Sequence, residues 1–250
     1  MSKPASPHYK NSSPLALIPP NCGKLDSCKM LLRHQSARVW ALAFALLLLA
    51  PLLHAQAGSS GQAVITFRKI FKSSYPEYVE IKVPETGACT ADIRQLSDDP
   101  SPQRFQLSEP VVQHIFELAS ELHDFNGVNL EIHRRIANLG EKTFIYQNGA
   151  QVYQTSFNYS TNASAEQLVD LFENLAREQT DLSDLQRTMR YDHLGVYDVI
   201  LRIEKDYDDK AIPDPSALLA TLDQLALDNT YLNIARDRAR TLAGRIRSGH

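Results

Sequence analysis

The sequence predicts an α+β fold: an antiparallel β-meander with hairpins, packed by helices on one face and followed by a C-terminal helical hairpin. Three observations carry this expectation. Residues Ala63–Lys72 and Glu77–Val83 alternate apolar with polar side chains. An Asn148-Gly149 pair joins two further β-rich runs. Most of the remaining chain repeats apolar residues at helical spacing.

The first strand, Ala63–Lys72, is rich in β-formers, and the second places Val79, Ile81 and Val83 on one face. Tyr75-Pro76 marks the turn between them. Pro84–Gly87 supplies the next turn, ahead of a third strand over Ala88–Leu96. Ser97–Pro102 reads as a polar loop and Arg104–Leu107 as a short edge strand.

A helix follows, with Ser108 at its N-cap and Pro110 in its first turn. Val112, Ile115, Phe116, Ala119 and Leu122 form its apolar stripe, and Gln113, His114, Glu117 and Glu121 its polar face. A shorter helix is expected over Leu130–Leu139, ended by Gly140.

Lys142–Gln147 and Ala150–Tyr159 then flank Asn148-Gly149, the preferred pair for a two-residue type I′ turn. That turn would set Ile145 opposite Val152 and Phe144 opposite Tyr153, with Tyr146 and Phe157 on the same side. The resulting aromatic row is either core beneath a helix or a platform for stacking a ligand.

Ser164 with Gln167 has the pattern of a capping box, opening a helix whose stripe is Leu168, Leu171, Phe172 and Leu175. Ser183 with Gln186 repeats the pattern. Helix continues to about Tyr207 through Leu185, Met189, Val196, Ile200 and Ile203, with a break near Gly195. Asp206–Pro215 is acidic and holds two prolines, so it reads as a linker between an α+β domain over residues 62–205 and a helical hairpin over residues 216–248.

The amino-terminal region reads as an export signal. Arg33 and Arg38 make a basic n-region, Val39–Leu53 an apolar core and Ala55-Gln56-Ala57 a small-residue cleavage site, so residues 30–57 form a signal peptide and the mature chain begins at Gly58. Residues 1–29, rich in Pro, Ser and Lys, read as a disordered leader or the product of a misassigned start, with Met30 the better initiator. The expected destination is the periplasm or the exterior. The alternative is a single-span anchor through residues 39–53. Pro51 weakens it, because Trp40–Ala50 is only about half of the roughly 20 apolar residues needed to span a bilayer.

Six of the 26 Lys+Arg and one of the 29 Asp+Glu precede Gly58, which leaves the mature chain at −8. That balance argues against general nucleic-acid binding. Cys22 and Cys28 lie upstream of Met30 without a second ligand pair, so they do not read as a zinc site. Cys89 is left as a lone thiol, and stability must come from a packed core rather than an internal disulfide.

No constellation names a reaction, and no catalytic residue, cofactor or metal is assigned. His114, Glu117 and Glu121 share a helical face, with His123, Asp124 and His133 not far along the chain, but there is no H-E-x-x-H and an amphipathic helix needs such a polar face. No G-x-S-x-G is present, and Cys89 reads as a buried or strand-borne thiol. Gly140-Glu141-Lys142-Thr143 lacks the glycines of a phosphate loop. His193 falls on the apolar stripe of its helix and reads as a core histidine. Asp206, Asp208 and Asp209 read as solvated linker acids rather than a calcium loop. Arg134-Arg135 reads as a surface pair.

The last helix concentrates Arg236, Arg238, Arg240, Arg245 and Arg247 beside the single acid Asp237. It suits docking on the acidic remainder of the protein, or weak contact with anionic membrane or an acidic partner. The reading as a whole is an exported, non-catalytic binding or interaction module whose partner is a protein, an envelope polymer or a small ligand. The alternatives are an exported hydrolase or metal-dependent enzyme, or a membrane-anchored protein.

Overall fold

Six strands form one antiparallel sheet in the computed structural model, which describes residues 62–249. The expected signal peptide, with Ala55, Ala57 and Gly58 at its cleavage site, lies outside the described residues. The strands are β1 (Val64–Ile70), β2 (Tyr78–Pro84), β3 (Ala88–Arg94), β4 (Gln103–Gln106), β5 (Glu141–Asn148) and β6 (Gln151–Phe157), in the order β4-β3-β2-β1-β5-β6. The first four are a meander, and the β5–β6 hairpin adds to the free edge of β1. Helices α1 (Glu109–Glu121), α2 (Ala163–Tyr191), α3 (Val196–Asp208), α4 (Leu219–Leu227) and α5 (Asn233–Ser248) complete the α+β architecture, including the C-terminal helical pair.

The strand alternation dictates which face the helices cover. Ile65, Phe67, Val79, Ile81, Val83, Ala91, Phe144 and Phe157 are buried on one face, against α1 and the first half of α2. Five phenylalanines meet there, with Phe67 stacked on Phe172 at 5.1 Å and Phe125 on Phe144 at 5.1 Å. The other face is polar. Arg68 pairs with Glu80 at 2.6 Å and Arg94 with Asp92 at 3.0 Å, as expected for an antiparallel sheet solvated on one side.

The hairpin places its turn one residue later than the type I′ expectation. Asn148 pairs with Gln151, so the loop is Gly149-Ala150, and Gly149 takes φ 58° as the leading turn residue. Val152 therefore faces Gln147, Tyr153 faces Tyr146 and Thr155 faces Phe144. A shift of one full pair preserves the side-chain faces, so the aromatic row survives. Phe144 and Phe157 in it are buried beneath the helices.

The helix expected over Leu130–Leu139 is not formed. This stretch runs irregularly alongside β6 because its backbone groups find other partners. Just before it Val128 O accepts from the Thr155 hydroxyl, and within it Ile132 N–H donates to Tyr159 O and Leu139 N–H donates to Asn158 Oδ1. The buried Lys142 amine donates to the carbonyls of Leu139, Gly140 and Asn158. Three bonds to backbone oxygens satisfy an ammonium that burial disfavours.

Helix α2 begins two residues earlier than the capping-box pattern suggests. Asn162 is its N-cap and accepts from Ala165 N–H, and Ser164 instead donates to Glu121 across to α1. Ser183 and Gln186 start nothing, because α2 continues through them to Tyr191. Its 29 residues extend about 43 Å at 1.5 Å per residue, whereas a seven-residue strand covers about 23 Å. The second half must therefore pack elsewhere. Leu185 and Met189 join Val196, Ile200, Ile203, Leu218, Leu222, Leu225 and Leu242 in a second apolar core. The two cores part within α2, between Ala176 and Leu182. The stretch 206–215 is held tightly in places, with Asp206, Ile212 and Asp214 buried. Among the described residues no helix is long and apolar enough to cross a membrane.

Candidate functional site

Helix α2 outruns the sheet, and a cleft of about 1010 Å³ lies beneath the overhang. Its floor is the helix-facing side of β1–β3, where Lys69 and Ile93 line it, and its walls include the 71–77 and 95–101 loops. Its roof is α2 from Glu173 to Tyr191. Eighteen helical steps make this roof about 27 Å long, so the cleft is a trough rather than a cup. Lys69 bridges floor and roof through Glu173 at 2.7 Å.

Five basic and five acidic side chains line the trough, and no single sign of charge dominates it. Several are already engaged: Arg187 pairs with Asp184 at 2.7 Å, and Glu77 accepts the backbone N–H groups of Ser73 and Leu96. Gln179 is different. It is 8 % exposed, it lines the trough, and its Nε2 has no hydrogen-bond partner among the described residues. A buried donor left unmatched costs about 1–3 kcal/mol. Tyr75 and Tyr191, both strongly exposed, stand at the trough margin.

The opposite side of the same helical turn is buried in the seam between the two cores. Glu178 is 1 % exposed; its Oε2 accepts from Asp214 N–H at 3.0 Å and its Oε1 has no partner among the described residues. Burial pushes its carboxyl up to about 8, and the neighbouring Asp214 charge adds to this while the Asp214 N–H bond opposes it. Asp214 in turn accepts from Ser108 N–H at 2.6 Å and from the Ser216 hydroxyl at 2.5 Å. One turn along α2, Asp181 accepts from Arg202 at 2.7 Å beside Asp206, and burial raises its carboxyl as well.

The residues singled out from the sequence do not converge. His114 lies 3.8 Å from Glu117, both exposed, while Glu121 is engaged with Ser164. His123 and Asp124 lie in a left-handed turn after α1, and His133 is exposed in the irregular stretch. Among the described residues no group of three or more His, Cys, Asp or Glu side chains is arranged to hold a metal ion. Cys89 is buried, and burial pushes its thiol up to about 12, so it stays protonated at neutral pH. Arg134 and Arg135 are both exposed.

His193 is a correction. It is exposed in the turn between α2 and α3, its ring 4.8 Å from that of Tyr231, because the break after Tyr191 takes it off the helical stripe. The three linker acids separate: Asp206 is buried beside Asp181, Asp208 pairs with Arg245 and Asp209 with Lys205. The C-terminal arginines are largely paired within the fold. Arg238 and Arg245 meet Glu204, Arg245 also meets Asp208, Arg247 meets Asp223 and Arg240 meets Asp237.

Glu178, Gln179 and Asp181 escaped the sequence reading, yet a signal for them exists. They fall between Leu175 and Leu182, where the buried side of α2 continues but the residues turn polar. A polar interruption of a buried stripe is where a protein keeps unpaired hydrogen-bonding capacity. No protein-family model matches this chain, and no curated protein matches it either.

Proposed function

We propose that the protein is an exported, non-catalytic binding module that holds an extended polypeptide segment in the trough beneath α2. The observation that carries this reading is the trough lined by Gln179, whose buried Nε2 has no hydrogen-bond partner among the described residues. A roof of about 27 Å accommodates about eight residues of extended chain at 3.3 Å each. A lining with both signs of charge complements a polypeptide, which presents both, better than it complements a uniformly anionic polymer. Side-chain amides pair with peptide N–H and C=O groups alike, and Gln179 lacks the acceptor that a peptide carbonyl supplies. Export rests on the signal-peptide pattern of residues 30–57.

The test is a titration of mature protein with a panel of eight-residue peptides of mixed charge, followed by NMR. Binding peptides are expected to shift the Gln179 side-chain NH₂ resonances, and Gln179→Ala is expected to weaken binding about tenfold, the equivalent of one hydrogen bond. Peptides that perturb only the C-terminal helices, or bind Gln179→Ala unchanged, would place the interaction elsewhere.

A further inference from the structure

We propose that Glu178 is a proton-controlled latch: as a neutral carboxyl it seats the 211–216 segment on α2 and the α1 N-terminus, and on losing its proton to solvent it releases that segment. The latch is a chain of three contacts across the seam. Glu178 Oε2 accepts from Asp214 N–H, Asp214 Oδ2 accepts from Ser108 N–H at the start of α1, and Asp214 Oδ1 accepts from Ser216 Oγ. These bonds join α2, the segment before α4 and the N-terminus of α1, elements that belong to different cores.

The surroundings decide which protonation state the seam tolerates. Glu178 is shut off from solvent, and its second oxygen has no donor among the described residues, so a negative charge there would be half-solvated at best. From the 211–216 segment it faces the Asp214 carboxylate, a like charge. From α3 the charged groups on this side, Arg202 and Asp206, are engaged with Asp181 and neutralise nothing at Glu178. From α1 the group presented to the chain is the Ser108 N–H, which Asp214 occupies, and Glu109 is exposed. On α2 itself Arg177 is exposed, so Glu178 has no counter-ion among the described residues. Ionisation therefore sets two carboxylates against each other where Asp214 pins the segment. Opening the seam to water relieves both the desolvation and the repulsion.

The experiment is hydrogen exchange of the mature protein between pH 6 and pH 9.5, read by mass spectrometry as protection factors corrected for intrinsic exchange. Peptides covering residues 206–218 are expected to lose protection as pH rises toward about 8 and to level off above it, while those from β1, β2 and β5 keep theirs. Glu178→Gln, which stays neutral, is expected to keep 206–218 protected throughout. Asp214→Asn retains an acceptor for Ser108 but removes the facing charge, so the alkaline loss of protection should be smaller than in wild type. Wild type that keeps constant protection from pH 6 to pH 9.5, an alkaline loss of protection in Glu178→Gln equal to that of wild type, or an undiminished alkaline loss in Asp214→Asn each overturns the latch.

Discussion

The core beneath the sheet and the core among the C-terminal helices share helix α2 but are built on different principles. The first is aromatic, with Phe67, Phe125, Phe144, Phe157 and Phe172 in mutual contact. The second is aliphatic, made of Leu, Ile, Val and Ala with Met189 and Tyr231 at its margin. Hydrogen-bonded strands impose the register of the first and so set its phenylalanines side by side. The second holds together through helix packing and through the buried acids of the seam. A sheet core tolerates a polar opposite face, whereas a helical appendage inherits every unmatched group on the helix it borrows.

That contrast is most directly broken by large-to-small substitutions in each core. Phe144→Ala is expected to cost roughly 3–5 kcal/mol and Leu222→Ala roughly 2–5 kcal/mol, measured by denaturant unfolding. Native-state hydrogen exchange should show Leu222→Ala loosening α3–α5 before the strands. Identical loss of protection in both halves would show a single cooperative unit and erase the distinction.

The next effect is pH dependence. The Glu178 carboxyl is held above its ordinary value when folded, so its stabilising contribution is full below about pH 4.5 and is lost as pH rises to about 8. Asp181, raised by burial, acts in the same direction. Wild type is expected to lose on the order of 3–5 kcal/mol of unfolding free energy across that window through Glu178. Glu178→Gln should flatten the curve and exceed wild type at pH 9. A wild-type curve that rises with pH throughout would show that the seam is solvated.

The smallest effect lies on the outer surface of the helical core. Arg240, Arg245 and Arg247 are partly exposed and paired with acids of the fold, so changing all three to Gln should lower the melting temperature only slightly, and less in high salt. Because their charge is matched internally, association of the wild type with anionic vesicles is expected to be weak at physiological salt. Strong, salt-sensitive association abolished by the triple change would restore the last helix as an interaction surface.

Local chemistry determined much of this molecule. Alternation in β1 and β2, the β5–β6 hairpin and the apolar stripes of α1 and α3 are short-range patterns, readable because a strand or helix enforces its period on its own side chains, although the hairpin turn falls one residue beyond the Asn148-Gly149 expectation. The α+β class followed from them. Where backbone groups had partners outside their own segment, the same reasoning failed. The Leu130–Leu139 stretch keeps its apolar spacing, yet its backbone is bonded to Asn158 and Tyr159, just after β6. Ser183 and Gln186 look like a helix start but lie inside α2, since neighbouring elements on both sides hold that helix continuous. The trough and the seam belong wholly to the tertiary structure. Gln179 and Glu178 are adjacent in sequence, polar and buried alike, and only the packing of a helix longer than its sheet sets one beside a cleft and the other between two cores.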